Sequence, residues 1–287
     1  MNLRPRLVVI FLQYDTEKYA DAFEHLRSHL SRVDPERVAY ILVNNKDEGN
    51  RSSNLGRKTV LLQGDNTERE FSGFQKGLDF VRENRLEYDV ILFVNDSFEV
   101  HGPSYLSNHN ISWLILKAYL VRAVLGLVAT RWDKARIKGK TITKWLGTDC
   151  FFVPKVIVDK LGSLVSVDKI SIGEYLPESF PGPDDVFMAT APINSVYRES
   201  IINWLTERWH SKFAIEESSW TLFRSKVKAI LNEVMLYVRI RELGYMILPY
   251  DIPLFAFTKI RGAFRRGKKV FLQRENHAPP DSIFNGQ

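Results

Sequence analysis

Continuous apolar runs alternate with amphipathic stretches through the first half of the chain. Leu7-Val8-Val9-Ile10-Phe11-Leu12 carries no polar residue, as expected of a parallel strand buried on both faces. Tyr19, Ala22, Phe23, Leu26 and Leu30 then recur at helical spacing and predict a helix over 15–30. Val38 to Val43 predicts a second strand ending in Asn44-Asn45, and Thr59-Val60-Leu61-Leu62 a shorter third. Phe71, Phe74, Leu78 and Val81 form the stripe of another helix, with Thr67 as its expected N-cap. Val90-Ile91-Leu92-Phe93-Val94 predicts a fourth strand that stops at Asn95-Asp96-Ser97.

This order of strands and helices argues for an open α/β sheet with right-handed crossovers. Ligands of such sheets bind beyond the carboxyl ends of the strands. Four polar clusters fall there: Gln13-Tyr14-Asp15, Asn44-Asn45, Gly64-Asp65-Asn66 and Asn95-Asp96-Ser97. Turn formation alone explains any one of them; their joint order says more.

The second half is less regular. Gly126 to Thr130 and Cys150 to Val153 predict further strands, the latter followed by a helix over 154–161. Helices are expected over 199–208 and about 219–243, the last with Phe223, Val227, Ile230, Leu231, Val234 and Val238 on one face and a stop at Gly244. No element is evident after Pro253, and no internal repeat is present.

The apolar stretch from Ile111 to Ala129 contains Lys117 and Arg122. Two central charges cost roughly 5–7 kcal/mol on insertion scales, which predicts a buried helix and strand in place of a membrane span. The N-terminal residues carry no apolar signal region, so export by that route is not expected. The lone Cys150 excludes an intrachain disulfide and fits a reducing compartment.

The 287 residues carry 40 Lys+Arg against 34 Asp+Glu, a net charge of +6. Seven of these cations, Lys259, Arg261, Arg265, Arg266, Lys268, Lys269 and Arg274, lie in one segment without an acidic residue. Without them the remainder has 33 basic and 34 acidic residues, so no nucleic-acid partner is expected. The basic segment carries Phe264 and Phe271 and reads equally as a lid over a donor, a solvated tail, or a contact with anionic lipid through 259–274.

Taken together, Val8 to Asp15, Gly64-Asp65-Asn66 with the following Glu70 to Leu78, Phe93-Val94-Asn95-Asp96-Ser97, Gly147 to Gly162, and Asn232-Glu233 before Gly244-Tyr245 resemble the GT-A-fold glycosyltransferases, family 2 in particular. The resemblance spans about residues 7 to 250. It implies a GT-A-like open mixed α/β sheet flanked by helices, a nucleotide-binding half (1–130) fused to an acceptor-binding half (131–258), with 259–287 as basic tail or lid. Asn95-Asp96-Ser97 departs from the family's Asp-x-Asp and is closer to the rhamnan-synthesis type. Gln13, Tyr14, Asp15, Asn45, Asp65, Arg69, Asn95 and Asp96 are the implied nucleotide side. Asp96 is the implied ligand for Mg²⁺ or Mn²⁺, although a single carboxylate binds such an ion weakly unless substrate phosphates complete its shell.

Inverting transfer requires a general base for the acceptor hydroxyl. The resemblance nominates Glu233, with Asp149 and the pair Asp184-Asp185 behind it. Cations that could face a leaving diphosphate are Arg69, Lys76 and Arg131. The implied activity is transfer from a nucleotide-diphosphate sugar to a hydroxyl of a glycan or glycolipid, in the cytoplasm or at the inner face of the membrane. The alternative is an inactive GT-A-like module that binds glycans or scaffolds an envelope complex.

Overall fold

The structure, a computed structural model, describes residues 5–15, 17–46, 53–56, 58–100, 106, 109–130, 134–209 and 211–251. The first half comprises β1 (Leu7–Gln13), α1 (Ala22–His29), β2 (Val38–Asn44), β3 (Ser53–Gly56), β4 (Thr59–Gln63), α2 (Glu70–Glu83) and β5 (Val90–Asn95). Then follow α3 (Ile111–Val121), β6 (Val124–Thr130), a hairpin of β7 (Arg136–Ile137) and β8 (Lys140–Thr141), β9 (Lys144–Pro154), α4 (Lys155–Leu161), α5 (Ser195–Asn203), α6 (Trp220–Glu242) and β10 (Ile247–Leu248).

The main sheet has the order β10-β6-β9-β5-β1-β2-β4-β3. Its β1·β2, β1·β5, β2·β4 and β6·β10 pairs are parallel. β9 runs antiparallel to both β5 and β6, and β3 antiparallel to β4. The open mixed sheet flanked by helices that the sequence predicts is therefore present, and it runs unbroken through both halves because β9 is inserted between β5 and β6. Residues up to Tyr250 belong to one compact unit.

Leu7 to Leu12 of β1 are all 1% exposed or less, which explains their unbroken apolar run. Each such side chain contributes about 1.5–3 kcal/mol on burial. α2 lies so close to this strand that a Cβ on Gly73 would stand 2.2 Å from Leu12 Cδ1, and one on Gly77 2.5 Å from Ile10 Cγ2. The two glycines lower helix propensity but allow this approach. It sets the first turn of α2 beside the carboxyl ends of β1 and β5.

The stretch from Ile111 divides into a helix and a strand, α3 and β6, as expected. Lys117, 1% exposed, donates to the Tyr250 carbonyl at 3.0 Å, so its charge is bound inside the fold. Among the described residues no helix is long and apolar enough to cross a membrane.

Several boundaries differ from the sequence reading. Asp15 Oδ1 accepts the amides of Glu17 and Lys18 at 3.3 and 3.1 Å, and this turn delays α1 to Ala22. Thr67 does not cap α2: its amide and hydroxyl both donate to Asp65 Oδ1 at 3.0 Å, and the helix begins at Glu70. Asn232-Glu233 lies within the 23-residue α6 and not at a helix start, because no breaker interrupts 220–242. The expected helix over 199–208 is α5 followed by a π-helical turn, Trp204–Arg208. Arg131 and the basic segment 259–274 lie outside the described residues.

Candidate active site

A cleft of about 910 Å³ opens at the carboxyl ends of β1 and β5. Its walls come from the β1 end (Tyr14), the β5 end (Asn95, Asp96, Ser97), β9 (Trp145 and Gly147 to Asp149), the start of α2 (Arg69, Glu70), the α5 end and α6. The volume is that of a small-molecule site.

Six of the residues nominated from the sequence line it: Tyr14, Arg69, Asn95, Asp96, Asp149 and Glu233. Four do not. Gln13 ends β1, and its carbonyl accepts the Asn45 amide at 2.8 Å. Asp15 spends its carboxylate on the turn preceding α1, and Lys18 and Glu17 amides hold its pKa down. Asp65 is exposed and committed to Thr67. Asn45 is 2% exposed; its Nδ2 donates to the Arg69 carbonyl at 2.9 Å, so it positions a cleft residue from behind. Lys76, Asp184 and Asp185 are exposed and line no part of this cleft.

The strand-end motif is largely engaged with itself. Asn95 Oδ1 accepts from the Ser97 amide at 3.2 Å and the Ser97 hydroxyl at 3.0 Å. Asp96, 4% exposed, accepts two amides on one oxygen: Oδ2 takes Tyr14 N–H at 2.6 Å and Asp15 N–H at 2.8 Å. Burial raises the Asp96 pKa, against the lowering effect of those two amides. Among the described residues no three His, Cys, Asp or Glu side chains gather closely enough to hold a metal ion. This donor set does not fit a divalent ion held by the protein alone.

A second cluster lines the same cleft. Glu233 is half-buried and lines the cleft. Burial holds its pKa well above the usual carboxylate range, and Glu70 and Asp149 push it further up against one hydrogen bond from the Thr148 backbone. Glu70 is raised by burial too, with Lys226 and Arg69 drawing it down and Asp149 adding to the rise. Desolvation and the neighbouring Arg69 lower the Lys226 pKa to about 8. Three carboxylates and two cations thus sense one another in a single cleft.

Arg69 has φ 56° and ψ −134°, a conformation non-glycine residues rarely take. Besides Asn45, Ser225 holds it: Arg69 Nε donates to Ser225 Oγ at 2.8 Å. Next to it, Lys228 donates to the Thr67 carbonyl at 2.7 Å and pairs with buried Glu68, tying α6 to the loop before α2.

The sequence reading missed Glu70, Lys226 and an aromatic wall of Trp145, Trp204 and Trp209. Lys226 could have been found from α6 spacing, since Lys226, Ile230 and Glu233 recur at four and three residues. Trp204 and Trp209 are carried by the π-helical turn and its exit; their rings are 6.1 Å apart and inclined by 31°. Lys226 Nζ stands 4.0 Å from the Trp209 ring centre.

No protein-family model and no curated protein matches the chain. Among solved structures it is similar to mannosyltransferase PcManGT from Pyrobaculum calidifontis, in complex with GDP-Man and Mn²⁺: TM-score 0.33, 11% identity, 93% of this chain and 84% of that chain covered. A likeness at that score sets neither fold nor chemistry, which rest on the strands and cleft described above.

Proposed function

We propose that the protein is an inverting glycosyltransferase that moves a sugar from a nucleotide-diphosphate donor to a hydroxyl of a polysaccharide or glycolipid. The observation that carries this reading is the Glu233 carboxyl lining a cleft at the carboxyl ends of parallel strands beside Glu70 and Asp149, with burial and those two carboxylates raising its proton affinity. Ionised Glu233 takes the proton of the acceptor hydroxyl as its oxygen attacks the anomeric carbon. The bond from that carbon to the diphosphate oxygen breaks, and the nucleoside diphosphate leaves with the electron pair. A raised pKa makes Glu233 a strong base at the pH where it first ionises.

Asp149 stands beside Glu233 as the second carboxylate for acceptor hydroxyls. Tyr14 and the Asn95-Asp96-Ser97 turn form the donor side in this reading. Trp145 and Trp204 face the acceptor side in this reading, where indole rings stack on the C–H faces of sugars. No step is assigned to a metal ion, since the donor set does not fit one held by the protein alone.

One observation favours a second reading, an inactive glycan-binding module: Asn95 and Ser97 bond to each other, and Asp96 spends one oxygen on amides. A thermal-shift panel of UDP, GDP and dTDP with their sugar donors, followed by a turnover assay, separates the two. Donor saturation at 100 times Kd stabilises the fold by about 2.7 kcal/mol. Binding with release of nucleoside diphosphate supports the enzyme; binding without release supports an inactive module; no shift with any nucleotide counts against the transferase and favours the glycan-binding module.

A further inference from the structure

We infer that Arg69 and Lys226 form a cationic clamp that holds the donor diphosphate without a divalent metal ion. This rests on the transferase reading and specifies how that site meets its leaving group.

The first support is the disposition of the cations. Arg69 is fixed in a strained backbone conformation by Asn45 behind it and Ser225 beside it, bonds that leave both terminal guanidinium nitrogens uncommitted to those two partners. Lys226 is the residue after Ser225, and its ammonium lies over Trp209 at 4.0 Å, oriented by the ring face. Both side chains line the cleft.

Second, the pair is costly as it stands. Desolvation and the Arg69 charge both act against the Lys226 ammonium, which Glu70 only partly offsets. Two like charges held together in a partly desolvated wall are relieved by an anion that meets both. Glu70, next to Arg69 in the chain, offsets the pair only in part, and Glu233 is pushed toward its neutral form.

The third support is position along α6. Lys226 precedes Glu233 by seven residues, two helical turns or about 10 Å on the same face. A base at one end and a clamp at the other suit a displacement in which the acceptor oxygen enters opposite the leaving diphosphate. Cations placed where leaving-group charge develops do the electrostatic work that an ion does in metal-dependent transfer. The strand-end turn, engaged with its own amides, leaves that work to them.

The test is calorimetric titration of the full chain with inorganic pyrophosphate and with UDP, GDP and dTDP, each in EDTA and in excess Mn²⁺. Pyrophosphate and at least one nucleoside diphosphate should bind in EDTA, with Mn²⁺ changing affinity by less than about threefold. Lys226→Met and Arg69→Gln should each weaken binding by about tenfold or more, and Lys226→Arg should retain most of it. An unliganded melting midpoint for Lys226→Met near that of wild type separates lost binding from lost fold. Should that variant unfold, the Lys226→Arg titration and the EDTA comparison on wild type still decide. Binding seen only with Mn²⁺, or unchanged in both charge-removing variants, overturns the clamp and leaves the transferase reading standing. No binding of any nucleoside diphosphate in either buffer overturns both.

Discussion

Asp96 Oδ2 accepts the Tyr14 amide at 2.6 Å, and with the Asp15 amide on the same oxygen it closes the end of β1 against the end of β5. The central residue of Asn95-Asp96-Ser97 therefore fastens two strands at the mouth of the cleft. It holds Tyr14, a cleft residue, by its backbone.

Asp96→Ala should destabilise the fold by about 1–3 kcal/mol, since it leaves two amides without their buried acceptor. Urea denaturation reads this directly. Nucleotide binding should weaken in the same variant even under conditions where it is fully folded, because Tyr14 loses its anchor.

Glu233→Gln should separate stability from activity. The folded-state pKa of Glu233 is raised, so the native chain binds this proton more tightly than the unfolded chain does. Its contribution to stability is greatest at low pH and is lost as pH rises from the unfolded value near 4.5 through the folded one. Gln stays neutral, so the variant should melt higher than wild type at pH 8 and close to it at pH 4. Every tenfold difference in proton affinity between the folded and unfolded chain is worth about 1.4 kcal/mol. A lower midpoint for Glu233→Gln at pH 8 would contradict the assigned environment.

Gly73→Ala tests how α2 is placed. The new Cβ would meet Leu12 Cδ1 at 2.2 Å, so the buried Leu12 side chain must leave its rotamer or the helix must move, at about 1–3 kcal/mol. An exposed helical position would instead gain from the change. Since Arg69 and Glu70 begin this helix, donor affinity should fall with the stability.

Much of the sheet is readable in the sequence for a physical reason. Strands β1 and β5 are buried on both faces and leave continuous apolar runs, and β2 nearly so; α2 and α6 leave stripes because one face of each packs inward. What escapes is decided by contacts across long separations. Arg69 and Ser225 meet over 156 residues, and that meeting brings Lys226 to the cleft. Thr67 has the chemistry of an N-cap, but Asp65 reaches its amide first. β3, Ser53-Asn54-Leu55-Gly56, is short and polar and has no periodic signature. Resemblance to a helix start nominates Glu233, which lies instead in mid-helix, where burial raises its pKa.

Trp204→Ala should discriminate between substrates. Trp204 lines the cleft from the π-helical turn and is 42% exposed, so its removal leaves the core packed. The variant should raise the acceptor KM severalfold while nucleoside diphosphate affinity and the melting midpoint stay near wild type. Loss of nucleotide binding would move Trp204 to the donor side.

The central claim is that Glu233 acts as base in transfer from a nucleotide-diphosphate sugar. Release of nucleoside diphosphate from a panel of UDP-, GDP- and dTDP-sugars, with water in place of the acceptor, tests it most directly when wild type and Glu233→Gln are run side by side over pH. The account predicts release from one donor, a rate that climbs with pH as Glu233 ionises, and a fall of about 10²–10⁴ in Glu233→Gln without loss of nucleotide affinity. Equal rates for the two proteins, or bound donor that neither consumes, would contradict it.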